Sequence, residues 1–168
     1  MMNVSAENPP DLSPMNAIIK YLQERITPED TPADRCCKWQ LDRVKQVDAV
    51  SITRIFSPAK VKAMKALQKQ CYYNAVAIAL ENEGFMYVEG YLLPRECPVP
   101  MPHAWNKDAR GNYFDVTTEI MLEKKPGDAH RFAVFETKDG GILKKWLHEM
   151  GRSPMLLFYL TSVEHLLK

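Results

Sequence analysis

A thiol, an imidazole and a carboxylate follow one another through the middle of the chain, at Cys71, His103 and Asp115. A cysteine in the first turn of a helix meets unpaired backbone N–H groups and the positive end of the macrodipole, both of which favour thiolate. An imidazole beside it can take the proton, and a carboxylate on the far ring nitrogen orients the imidazole and stabilises its charged form. Such a set attacks amide and ester carbonyls. The candidate bases are the histidines at 103, 130, 148 and 165. His103 is the best of them, because Trp105 follows two positions on, on the same strand face, where an indole shields an ion pair from water. His130 begins a strand and is the rival; His148 and His165 read as surface residues.

These groups need elements to position them. Ala75 to Leu80 is an apolar run that predicts a buried helix opened by Cys71 and ended by Gly84. Residues 85–93 predict a strand interrupted at Glu89-Gly90, and the prolines at 94, 98, 100 and 102 predict a loop flanking the cleft. His103 and Asp115 fall on two short strand-like segments joined by a turn at 108–112. Upstream, Ser13-Pro14 and Ser57-Pro58 are helix-start signals, and an apolar stripe through Ile18, Leu22 and Ile26 predicts the first helix. A second helix is expected over 34–47, then a short strand or extended connector over 50–56. Downstream, a loop with a short helical turn is expected to Gly127, a strand over 131–136, a helix over 139–150 ended by Gly151, and a buried strand over 155–160. Helices first and strands later, linked by tight hairpins, predict an α+β domain with a helical layer on a mostly antiparallel sheet. Residues 1–12 read as a mobile tail and 163–168 as a terminal turn. Residues 13–168 read as one domain, with a helical layer (13–56) and a catalytic core (57–168).

The same residues resemble the transglutaminase-like superfamily, papain-like Cys-His-Asp acyl-transfer enzymes. That family's pattern is a Cys opening a helix, a strand with Val-x-Gly-Tyr, then His-Ala-Trp, then Asp-Pro-Thr. Here stand Cys71, Val88-Glu89-Gly90-Tyr91, His103-Ala104-Trp105 and Asp115-Val116-Thr117, spanning about 50 of the 168 residues. Val116 replaces the usual Pro, and Glu89 is a charge in a position often small. The resemblance implies a transglutaminase-like, papain-like core and a thioester on Cys71. Water as acceptor makes a protease or amidase; an amine makes a transglutaminase. Gln68 or Gln70 is a candidate oxyanion donor beside the Cys71 N–H. Glu89 either faces the cleft, selecting a cationic group, or faces water.

Composition narrows the partners. Lys plus Arg at 22 nearly cancels Asp plus Glu at 21, so no global field draws the chain to nucleic acid or a membrane. Lys60, Lys62, Lys65 and Lys69 have no interleaved aromatics and read as a solvated helix face. No apolar run reaches membrane-spanning length and the first residues lack signal-peptide regions, so the expectation is a cytoplasmic protein. Adjacent Cys36 and Cys37 and isolated Cys97 form neither a disulfide framework nor a zinc pattern, and nothing resembles a calcium loop. No cofactor or metal is expected, and the substrate is a protein, peptide or small amide. Two alternatives stand beside the hydrolase or transferase. One is an acyl-CoA-dependent N-acyltransferase, which uses the same Cys, His, Asp order but with Arg-Gly-Gly where Gln68-Lys69-Gln70 stands. The other is a binding or inhibitory module that keeps the fold without turnover.

Overall fold

Ser13 and Ser57 each precede a proline, and both cap helices in the computed structural model of the chain, which describes residues 13–64, 66–97, 99–122, 129–150 and 155–162. The elements run α1 (Pro14–Gln23), α2 (Pro32–Val44), α3 (Pro58–Ala63), α4 (Cys71–Glu81), β1 (Met86–Pro94), β2 (Met101–Lys107), β3 (Tyr113–Phe114), α5 (Val116–Leu122), β4 (Ala129–Thr137), α6 (Gly140–Met150) and α7 (Leu156–Ser162). Helix α2 starts earlier than its apolar anchors suggest, because Thr31 and Asp34 form a reciprocal capping box ahead of them. The fold is α+β: an antiparallel sheet of order β3-β2-β1-β4 with helices packed on it.

The sheet is curled, and the connector after α2 holds the curl. Ala49 bridges Phe132 on the outer edge of β4, with Val50 N–H donating to Arg131 O at 2.8 Å. Three residues on, Ile52 bridges Tyr113 on the outer edge of β3, with Thr53 N–H donating to Tyr113 O at 2.8 Å. One extended segment thus ties both edges of the sheet, which is why residues 50–56 alternate like a strand without forming a full one. Inside the curl lie Val88, Trp105 and Ala133, packed against Val50, Ile52 and Tyr113. On the opposite face, Tyr91, Leu93 and Phe132 pack with α1 and α2, while Tyr87 and Ala104 pack with α4, α6 and α7.

Gly90 is a point of close approach within the sheet. A Cβ there would lie 1.9 Å from Phe132 O and 2.9 Å from Trp105 Cη2, so only glycine lets β4 and the indole approach this closely. The β1–β4 register slips between Glu89 and Gly90, a bulge inside a strand that runs on rather than breaking. Strand β2 reaches back into the proline-rich stretch, taking Met101 and Pro102. Pro102 is compatible because β3 pairs only with Asn106 and Lys107, leaving this end of β2 unpaired on one side.

The predicted strand over 155–160 is instead helix α7. Its buried residues, Leu156, Leu157, Tyr159 and Leu160, follow helical spacing, and a short continuous apolar run cannot be assigned by periodicity alone. A distant carboxylate caps the helix: Glu89 accepts from the N–H groups of Leu156 and, at 3.2 Å, Leu157. The loop expected after Asp115 forms α5, longer than the single turn anticipated. The expected tail (1–12), the terminal turn (163–168), Gly151 and residues 123–127 lie outside the described residues.

Candidate active site

Cys71 is the first residue of α4, and the loop before it is fastened from inside that helix. Asn74, the buried amide of an otherwise apolar helix, accepts from Leu67 N–H and donates to Leu67 O, both at 2.8 Å, and donates to Thr117 Oγ1 at 2.9 Å. Between these anchors Lys69 takes a left-handed φ of 58°, an uncommon conformation for lysine, and delivers the chain to Gln70, the N-cap. The Gln70 side chain makes no cap, so it takes none of the first-turn N–H groups. Asn106 then fixes α4 against β2 by donating to Ala75 O at 2.8 Å and to Met86 O at 3.2 Å.

This docking places the Cys71 thiol and the His103 ring on one cleft, near enough for the sulfur to act on the charge of the imidazole. The imidazole's Nε2 is 2.9 Å from Asp115 Oδ2, which leaves Nδ1 as the nitrogen able to face sulfur. Trp105 stacks beside His103 with ring centroids 6.1 Å apart, and Trp105 itself is buried. Asp115 follows β3 and caps α5, accepting from Thr118 N–H at 3.0 Å through Oδ1 and from the Thr118 hydroxyl through Oδ2. Arg131 of β4, also buried, donates to Asp115 Oδ2 from Nε at 3.2 Å and from Nη2 at 3.1 Å. Leu92 is paired with Arg131 and Gly90 with both His103 and Ala133, so His103 and Arg131 share one sheet face and converge on the same carboxylate.

The charges follow from these contacts. Burial alone would raise the Asp115 carboxyl, but His103, Arg131 and Thr118 hold it well below the usual carboxylate range. Burial likewise opposes a charged imidazole, yet the Asp115 carboxylate and the Cys71 thiol outweigh it and His103 is pushed up to about 10. The site can therefore hold imidazolium beside sulfur at neutral pH. Beside these two groups opens a cleft of about 210 Å³ lined by Lys69, Leu92, Met101, Pro102, Thr117 and Thr118.

No family model, no curated protein and no solved structure matches the chain. The site is therefore read from its own geometry. Cys71, His103, Asp115 and Trp105 come together. Gln68 is exposed, and the cleft takes Lys69 into its lining rather than either glutamine. Glu89 requires a correction, since it faces neither cleft nor water. It is fully buried on the opposite sheet face, bonded to the Tyr87 hydroxyl and to the start of α7. Of the other thiols, Cys36 is buried and accepts from Gln40 Nε2 at 3.1 Å, Cys37 is half-buried and pushed up by burial, and Cys97 is exposed. Three supporting residues were not anticipated: Arg131, Thr118 and Asn74. Each left a trace in the sequence, as an arginine heading an apolar strand, a hydroxyl three positions after the aspartate, and a lone amide in an apolar helix. Among the described residues no three His, Cys, Asp or Glu side chains gather as a ligand set for a metal, and no helix is long and apolar enough to cross a membrane.

Proposed function

We propose that this chain is a cysteine-dependent acyl-transfer enzyme of the transglutaminase-like, papain-like kind, acting on an amide of a protein, peptide or small molecule through a thioester on Cys71. The observation that carries the reading is one chain of contacts: a thiol at the start of an eleven-residue helix, an imidazole beside it, and a buried carboxylate on the far ring nitrogen. His103 takes the Cys71 proton, and the thiolate adds to the carbonyl carbon, forming the C–S bond. The negative oxygen is received by N–H groups at the helix start, which Gln70 leaves uncapped. The C–N bond then breaks as His103 returns its proton to the leaving amine, giving the thioester. Water or an amine adds next, His103 taking its proton, and collapse releases the acyl product and the Cys71 thiol. Asp115 stays ionised throughout and stabilises the imidazolium. Trp105 excludes water from one side of the ring. The cysteines at 36, 37, 71 and 97 are thiols rather than disulfides, which suits a reducing compartment, and we assign the activity to the cytoplasm.

An activated ester tests this directly. Incubation with p-nitrophenyl acetate is expected to give a burst of nitrophenolate and an acetyl group on Cys71, located by peptide mass spectrometry. His103→Ala should abolish both, and Cys71→Ala should abolish both with little change in melting temperature. Acetylation spread evenly over Cys71 and Cys97, with no burst, would sink the reading.

A further inference from the structure

The lining of the cleft narrows what Cys71 attacks. Resting on the acyl-transfer reading, we infer that the acyl donor carries one medium-sized apolar group next to the scissile carbonyl, as in a peptide-like amide of an aliphatic or aromatic residue. The walls supplied by Leu92, Met101 and Pro102 are apolar. Of the two threonines that complete them, Thr118 donates its hydroxyl to Asp115, and Thr117 Oγ1 accepts from Asn74 while keeping its own O–H. Apart from the Cys71–His103 pair itself, the charge in the lining is the ammonium of Lys69, an exposed residue. With Glu89 buried on the far face, no carboxylate among the described residues lines the cleft to receive a cationic substrate group.

Size and surroundings agree with this. A cleft of about 210 Å³ equals roughly seven water volumes, enough for one side chain. The exposed large hydrophobic residues among the described ones are Val99 and Met101, 57% and 44% exposed, and both lie in the stretch leading to His103. Met101 also lines the cleft, so its apolar side chain meets both the cleft and water. A glutamine-type carboxamide would bring polar atoms against the apolar walls of Leu92, Met101 and Pro102, which costs affinity.

Alkylation of Cys71 by iodoacetamides with different tails gives the test, because it reads the pocket and the thiol at once. At mildly acidic pH, N-isobutyl iodoacetamide should label Cys71 roughly tenfold to a hundredfold faster than N-hydroxyethyl iodoacetamide. Exposed Cys97 serves as the internal reference and should show no preference. Met101→Glu, a change at a partly exposed side chain, should drive the Cys71 ratio towards that of Cys97. Fast labelling of Cys71 at acidic pH without tail preference, or with preference for the polar tail, overturns the inference and leaves the acyl-transfer reading standing. Cys71 no more reactive than Cys97 at that pH, whatever the tail, overturns the acyl-transfer reading and this inference with it.

Discussion

Asp115 and Glu89 are two carboxylates that the fold buries almost completely, 1% and 0% exposed, each accepting backbone N–H groups from the start of a short helix. Their states diverge because their remaining partners differ. Asp115 has the Arg131 guanidinium and His103, and its carboxyl is held well below the ordinary range. Glu89 has the Tyr87 hydroxyl and two N–H groups but, among the described residues, no cation, so burial wins and it is pushed up to about 7. Helix-end N–H groups orient a carboxylate, but a formal positive charge is what fixes its ionisation in a dry interior. The distinction separates the roles as well. Asp115 spends its charge on an imidazole beside a thiol, whereas Glu89 clamps α7 to the sheet.

Removing the cation from the first region should make it resemble the second, and this is the largest effect expected. Arg131→Met leaves Asp115 buried with only part of its counter-charge, which should cost about 3–5 kcal/mol of unfolding free energy. Arg131→Lys, keeping the charge without the two-pronged contact, should recover part of that loss. Urea denaturation at neutral pH measures both. A cost below about 1 kcal/mol for Arg131→Met would show that other groups hold the Asp115 charge, and the contrast with Glu89 would fail.

How much of this was legible in the sequence depends on how local each cause is. The Ser-Pro caps and the Cys71 helix were readable because their signals lie within a few residues of each other. The order of Cys71, His103 and Asp115 was readable because spacing places them on successive elements. Arg131 was not, because its purpose depends on β4 pairing with β1 and bringing Leu92 opposite it. Helix α7 was misread as a strand for a similar reason: the group that caps it is 67 residues away. Glu89 was misplaced because its face follows from β1 pairing with β2, which sets it opposite Ala104 rather than His103, and because Leu156, whose N–H it receives, lies 67 residues on. Long-range partners account for all three.

The second effect strikes the charge at Asp115 itself. Asp115→Asn keeps the shape, removes the counter-charge and can favour the wrong imidazole tautomer, and acyl transfer should fall roughly 10- to 1000-fold. In the wild type, His103 rises from 6.5 to about 10, so its stabilising pairing is complete below pH 6.5 and is lost as pH rises through about 10. Asp115→Asn should lower the His103 titration midpoint, followed by NMR, and flatten the stability profile over that window. An unchanged midpoint with unchanged Cys71 alkylation would remove Asp115 from the site.

The smallest effect belongs to Glu89 and tests the comparison from its other side. Its carboxyl has an ordinary value of 4.5 and is pushed up to about 7 in the fold, against the lowering effect of Tyr87 and the Leu156 and Leu157 N–H groups. Over that interval the folded state binds more protons than the unfolded one, so stability must fall as pH rises from about 4.5 towards 7. The contribution of this one group between about pH 5 and pH 7 is about 2 kcal/mol at most. Glu89→Gln cannot titrate. Its amide oxygen can still receive the Leu156 N–H, but its NH₂ replaces the oxygen that receives Leu157, so an offset independent of pH is expected as well. Slope and offset separate in urea titrations at several pH values: the variant should be less stable throughout yet lose less on going from acid to neutral. Cys71 alkylation should be unchanged, because Glu89 lies on the sheet face away from His103 and Arg131. If the variant keeps the wild-type slope, Glu89 does not change its charge in that interval, and burial without a cation is not what distinguishes it from Asp115.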